Sequence, residues 1–281
     1  MKILALGDIV GKPGRDAIRA MLPDLKKKEG IDLVIANAEN AAGGSGITPE
    51  ITYELRGSGI DVITSGDHIW KRKEVLKVIG NIQWLLRPAN YPPGAPGTGA
   101  TVVKAENGIN VGVINLLGRV FMQPLECPFR IAWQEVKRLR EITPVIVVDI
   151  HAEATSEKIA LGWYLDGMVS AVVGTHTHVQ TADEKILPKG TGYLTDLGMV
   201  GSHASVLGRR VEQIIDRFIT QMPRKFELAT EDVQINGVLI TVDEKTGKCV
   251  SIHRRQDRAE LKNYSPAGPA DSAVESTYDI G

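Results

Sequence analysis

Val145-Ile-Val-Val-Asp-Ile150 runs directly into His151, and Val169-Ser-Ala-Val-Val173 runs into Gly174-Thr-His-Thr-His178. Both are continuous apolar runs, the pattern of strands buried on two faces, and both lead into imidazoles. Working outwards, the same arrangement recurs earlier in the chain. Lys2–Leu6 leads to Gly7-Asp8, Asp32–Ala36 to Asn37-Ala-Glu39-Asn40, and Asp61–Thr64 to Gly66-Asp67-His68, while Val111–Leu116 is a further apolar run. A helical pattern spans about Gly14 to Lys28, and another follows Thr48 as cap with Pro49 at its first position. Short apolar runs alternating with helices predict βαβ units and an α/β fold.

The last third changes character. Phe226–Thr230, Val233–Val242 and Lys248–Arg254 alternate in polarity, the last two joined by the turn Asp243–Gly247, and read as antiparallel hairpins. Parallel and antiparallel strands together predict a two-sheet sandwich flanked by helices. We expect one domain over residues 1–262 and a mobile tail over 263–281, where Ser, Ala, Pro and Gly dominate. The Pro/Gly-rich stretch Arg87–Gly99 is expected to be a long loop within the domain.

The carboxyl ends of parallel strands lie along one edge of a sheet, where ligands bind. Asp8, Glu39, Asn40, Asp67, His68, His151, His176 and His178 all stand at such ends and should share one crevice. His176 and His178 occupy alternate positions, which point the same way on an extended segment. Clustered carboxylates repel one another unless cations neutralise them. Imidazole with carboxylate suits Mn, Fe or Zn better than Ca or Mg alone. The ligand count exceeds one tetrahedral ion and fits two ions sharing a carboxylate, the kind of centre that activates water and clamps a phosphoryl group. Thr155, Ser156, Glu157 and Lys158 read as the first turn of a helix, with substrate contact an alternative. Asn115, Arg119 and Asp149 are candidates for the crevice wall, His203 reads as a loop residue, and His253 as a surface residue.

Composition narrows the choice. Net charge is −1, with 33 basic and 34 acidic residues, which argues against a duplex nucleic-acid partner and suits a small substrate. The two cysteines, Cys127 and Cys249, form no CxxC, so no cysteine zinc site is expected and a reducing compartment is. The opening MKILALGDIVG lacks the long apolar stretch of a signal peptide, and no run approaches the length of a membrane span. A cytoplasmic protein is expected.

Asp after the first strand, an acid after the second, Gly-Asp-His, a later His and Gly-Thr-His-Thr-His together resemble the calcineurin-like metallophosphoesterases. The pattern is most similar to the YmdB-type branch, in which the usual Asp-x-His opening lacks its histidine: here position 10 is Val10, and the second motif is Asn-Ala-Glu-Asn. Arg87-Pro-Ala-Asn-Tyr-Pro-Pro-Gly94 and Thr195-Asp-Leu-Gly-Met-Val-Gly201 also look like that branch, and the likeness runs to about residue 260. The resemblance implies a first ion held by Asp8, Glu39, Asn40 and His178, with Glu39 bridging and Asp67, His151 and His176 completing a second. It also implies His68 as general acid. The implied cofactors are two divalent or mixed-valence ions, Fe or Mn first, with Zn or Mg as alternatives. The implied reaction is attack of a metal-bridging hydroxide on a small phosphodiester, 2′,3′-cyclic nucleotides being the characteristic substrates. Where the wider superfamily has Gly-Asn-His, this chain has Asp67, whose extra charge favours a more highly charged metal and weakens attraction for phosphate.

Two other functions remain open at this stage. An amidohydrolase also gathers His and Asp at strand ends, but its His-x-His opens the chain, whereas here it comes late. A regulatory protein could keep the metal site and act through a partner. The expected partner is a small phosphoester, a cyclic nucleotide first, with no membrane and no stable duplex nucleic acid. Self-association into a homo-oligomer is left open.

Overall fold

The apolar runs become two mixed β-sheets in the computed structural model, which describes residues 1–259. The expected tail at 263–281 lies outside the described residues. In chain order the elements begin β1 Lys2–Leu6, β2 Asp8–Ile9, α1 Gly11–Glu29, β3 Leu33–Asn37, α2 Pro49–Gly57 and β4 Val62–Thr64. They continue with β5 Ala100–Lys104, β6 Asn110–Leu117, α3 Pro128–Arg140, β7 Ile146–His151, α4 Thr155–Tyr164 and β8 Ala171–Thr175. The last third holds β9 Lys185–Ile186, β10 Gly192–Leu194, β11 Met199–Ser202, α5 Val211–Thr220, β12 Val233–Val242 and β13 Cys249–Arg258.

Local chemistry sets the helix ends. The Thr48 side chain accepts the Ile51 N–H at 3.3 Å, and Pro49 at the first position removes a donor that would have no partner. Gly30 closes α1 in the left-handed conformation at φ 64°, behind Lys26, Lys27 and Lys28, whose charges suit the negative end of the helix.

One sheet runs β2-β11-β12-β1-β3-β4 with β13 added to β12, and the other runs β5-β6-β7-β8-β10-β9. The pairs β1–β3 and β3–β4 are parallel, as are β6–β7 and β7–β8, with helices as crossovers. Side-chain alternation along each strand divides the core into layers. Ile3, Ala5, Leu33 and Ile35 meet Val113, Val147 and Val173 between the sheets. Leu4 and Leu6 face the other way, onto Ile18 and Leu22 of α1. Ile114, Leu116, Val148 and Ile150 pack beneath Val136 and Leu139 of α3 and Leu161 of α4. The result is the expected two-sheet α/β sandwich with helices outside. Burying each such side chain is worth about 1.5–3 kcal/mol, which makes this layering the main support of the fold.

The structure differs from the sequence expectation at Phe226–Thr230, which is not a strand. Leu228 makes one isolated bridge with Arg209, and the Ala229 N–H donates to Gly208 O at 2.9 Å. Leu228 packs instead against the backbone of Gly11, where an added Cβ would lie 2.2 Å from its Cδ1. Side-chain anchoring therefore explains the apolar residue that alternation assigned to a sheet. Helix α1 starts at Gly11, slightly before the expected Gly14.

Candidate metal centre

Because the parallel strands of both sheets end at one edge, residues distant in sequence converge there. Gly7 lets β1 pass into Asp8 at the start of β2: a Cβ on Gly7 would lie 2.0 Å from the Gly198 carbonyl oxygen. Glu39 and Asn40 follow β3, and Asp67 and His68 follow β4, all from the first sheet. His151 ends β7, and His176 and His178 follow β8 in the second.

The contacts form a closed chain. His151 Nε2 lies 3.0 Å from Glu39 Oε1, 3.4 Å from Asp67 Oδ1 and 3.0 Å from His176 Nδ1. Asp8 Oδ1 stands 3.8 Å from His151 Nδ1 and 3.9 Å from His178 Nε2. Asn40 Nδ2 is 3.1 Å from His178 Nε2, and Asn40 Oδ1 is 2.7 Å from His68 Nδ1. The His68 backbone N–H donates to Glu39 Oε2 at 2.9 Å. Every residue that the strand-end pattern singled out is in this cluster. Ligand atoms of Glu39, Asp67, His151 and His176 all lie within 4.8 Å of one another.

The cluster is short of positive charge. Asp8 Oδ1, Glu39 Oε1 and Asp67 Oδ1 are buried without a hydrogen-bond partner, although imidazole nitrogens stand close. The 3.0 Å approach of His151 to Glu39 is thus a charge contact out of line for a hydrogen bond. Burial pushes the Asp8 carboxyl up to about 6. Burial works against the charge on Glu39 and Asp67 too, yet the histidines beside them hold both below the ordinary carboxylate range. Burial would also lower His151, but Glu39 and Asp67 raise it well above its usual value; His176, buried beside it, falls to about 3. These groups alone draw a proton onto His151, the balance that a cation amid the carboxylates would replace.

The imidazoles are oriented as metal ligands require. Thr175 donates its hydroxyl to Asp149 Oδ1 at 2.8 Å, so its oxygen accepts from His151 Nδ1 at 3.0 Å and Nε2 faces inward. His176 turns Nε2 to the Glu153 carboxylate at 3.3 Å, and His178 turns Nδ1 to the Leu207 carbonyl at 3.3 Å. Their other nitrogens face Asp67 and Asp8. His176 and His178 hold φ of 104° and 62°, a left-handed backbone that side chains resist. What holds it is a buried ion pair. Lys158 Nζ donates to Thr175 O and to Asp196 Oδ2, both at 2.7 Å, and Asp196 Oδ2 accepts the Thr177 N–H at 3.2 Å and its hydroxyl at 2.8 Å.

The strand-end pattern passes over Asn37, whose side-chain oxygen accepts the Glu39 N–H at 3.1 Å and whose amide stands 3.2 Å from His151 Nδ1, and over Glu153, Thr175 and Asp196 as parts of this support. The one available signal was position: Asn37 and Thr175 end β3 and β8, and Glu153 and Asp196 lie just beyond β7 and β10. Lys158 belongs to the predicted helix start, but it is fully buried and braces the loop. Asn115 and Asp149 lie behind the crevice, not on its wall. Asn115 clamps the Ser65 backbone, and Asp149 accepts from Thr64 and Thr175. Arg119 is exposed in the loop after β6, His253 is exposed on β13, and His203 lies in the loop after β11. A cavity of about 410 Å³ opens over Glu39, Asn40, Asp67, His68, His176 and His178.

A two-sheet α/β sandwich with carboxylates and inward-facing imidazoles at its strand ends defines a metallophosphoesterase-type protein. The sequence profile of the family described as YmdB-like protein matches residues 4–255, and the chain belongs to that family. A 2′,3′-cyclic-nucleotide 2′-phosphodiesterase of Bacillus subtilis (strain 168) is 51% identical over 254 residues, covering 90% of this chain and 96% of the relative. A crystal structure of a protein from Thermus thermophilus matches with a TM-score of 0.86 and 40% identity, covering 92% of this chain and 99% of that one. A phosphatase structure from Mycoplasma pneumoniae matches with a TM-score of 0.85 and 37% identity, covering 92% and 93%. The chain is an enzyme of the phosphodiesterase and phosphatase class. Among the described residues, no helix is long and apolar enough to cross a membrane.

Proposed function

We propose that the chain is a dinuclear metal-dependent phosphodiesterase acting on 2′,3′-cyclic nucleotides or related small phosphodiesters. The observation that carries this reading is the set of buried, unpartnered oxygens of Asp8, Glu39 and Asp67 facing the inward nitrogens of three histidines. The substrate class rests on the name of the Bacillus subtilis relative and on a cavity of small-molecule size.

Asp8, Asn40 and His178 would hold one ion and Asp67, His151 and His176 the other, with Glu39 shared. Two such ions, Fe or Mn by the ligand mix, supply an activated water and neutralise phosphoryl oxygens. The chain's own residues do the rest. Thr175, Glu153 and Leu207 O fix the imidazole orientations, so ligation requires little rearrangement. His68 is pinned by its backbone bond to Glu39 and by its ring contact with Asn40, and the ring lines the cavity. From there it protonates the leaving oxygen of the ester. Cys127 and Cys249 are free thiols, in keeping with a cytoplasmic enzyme.

The test is metal analysis of the purified protein together with hydrolysis of 2′,3′-cyclic nucleotides in Mn, Fe, Zn and Mg. Turnover that stops with chelator and returns with metal is expected, at two equivalents of metal per chain. A metal-loaded protein that hydrolyses no phosphodiester would point to a binding protein instead.

A further inference from the structure

The loop after β6 carries a residue that the chemistry so far leaves unused. Phe121 is 89% exposed, yet it lines the same cavity as His68, Asp67 and His178. An isolated exposed apolar residue needs no explanation. Phe121 differs in two respects, its backbone and its setting.

Its φ is 63°, the left-handed region where a bulky residue is an outlier and glycine is at ease. The Met122 N–H donates to Arg119 O at 3.3 Å, closing a turn with Phe121 at its third position. Glycine or asparagine would normally occupy that position, so a phenylalanine there carries backbone strain with no packing in return.

The loop is also anchored firmly below this tip. The buried Glu157 carboxylate accepts the N–H groups of Arg119 and Val120 at 3.1–3.2 Å. Asn90 spans the two ends, accepting the Leu117 N–H at 2.9 Å and donating to Leu117 O at 2.8 Å and Glu126 O at 3.0 Å. Beside the tip, Gln123 donates to the Tyr91 hydroxyl at 2.6 Å, and Tyr91 packs edge-on against Trp70 at 5.7 Å. The Pro/Gly-rich stretch flagged in the sequence thus supports an apolar ring held over the mouth of the site.

We infer that Phe121 is the stacking platform for the base of a nucleotide substrate, and so a specificity-determining residue of this enzyme. This rests on the proposed phosphodiesterase reading. A base has an apolar π-face whatever its identity, and stacking on an aromatic ring tolerates all four bases. The phosphodiester would then occupy the metal end of the cavity while the base lies against Phe121 at its rim. Since the ring makes the same contact in substrate and transition state, it should act on KM and leave kcat alone.

The experiment compares 2′,3′-cyclic AMP with glycerol 1,2-cyclic phosphate, which has the cyclic diester and no base. Phe121→Ala should raise KM for cyclic AMP about tenfold, within the range of base stacking, with kcat and metal content unchanged. KM for the base-free diester should not move, and Phe121→Trp should restore cyclic AMP binding. An equal change for both substrates, or an unchanged KM for cyclic AMP, would overturn the stacking role while leaving the phosphodiesterase reading intact. If the wild-type enzyme hydrolysed neither substrate with metal bound, both readings would fall together.

Discussion

His68 follows Asp67 directly, and the two side chains stay close, His68 Nε2 lying 3.6 Å from Asp67 Oδ2. Both line the cavity, but Asp67 turns its buried Oδ1 to His151 and His176, whereas His68 turns Nδ1 to Asn40. Consecutive residues rarely aim at the same ion, so the proposal that gives Asp67 to a metal gives His68 to the substrate. Loss of a positioned general acid typically costs about 10²–10⁴-fold, and His68→Ala should fall in that range for an alkoxide leaving group. For p-nitrophenolate, which departs without a proton, the loss should be far smaller, and metal content should stay near wild type. Equal losses for both leaving groups would exclude the acid role, and loss of metal would make His68 a ligand or its support.

At the scale of elements, the strand ends were readable in sequence because an apolar run followed by a polar residue is a local pattern. Asp8, Glu39, Asp67, His151, His176 and His178 all announce themselves in that way. Their supports do not, because Lys158, Thr175 and Asp196 acquire a role only when α4 and the loop after β10 pack against β8. Phe226–Thr230 departs from the strand expectation for the complementary reason: its alternation is real, but Leu228 is anchored against Gly11 and not in a sheet. The support makes a quantitative prediction. Lys158→Met would fill similar space but leave the Asp196 carboxylate, itself buried, without its cation. Removing one partner of a buried pair typically costs about 3–5 kcal/mol. Urea unfolding of the metal-free variant should show a loss of that size, and its metal affinity should fall as well, since Asp196 also holds the Thr177 backbone between the two histidines. A variant as stable as wild type, with unchanged metal affinity, would show that the pair does not brace the loop.

Across the whole molecule, the cluster ties together two sheets that are also joined by apolar packing and by the Thr64–Asp149 and Ser65–Asn115 hydrogen bonds. Asp8, Glu39, Asn40 and Asp67 come from the edge of one sheet, and His151, His176 and His178 from the edge of the other. Only the folded chain brings these groups together, so the free energy of ion binding adds to the free energy of folding. The ions should also relieve the cost of burying Asp8, Glu39 and Asp67, each of which has an oxygen without a hydrogen-bond partner. At free metal one hundred times the dissociation constant, a single site adds about 2.7 kcal/mol. For a domain of this size that raises the unfolding midpoint by roughly 5–10 °C, and a second ion should add to it. Thermal unfolding with chelator, then with Mn restored stepwise, should show the midpoint climbing with the logarithm of metal concentration. Glu39→Gln is the informative control, because a neutral amide bridges cations poorly and should remove most of the metal-dependent rise. The same midpoint with and without metal would mean that the ions do not bind across the sheets, and a full rise in Glu39→Gln would mean that Glu39 is not the shared ligand.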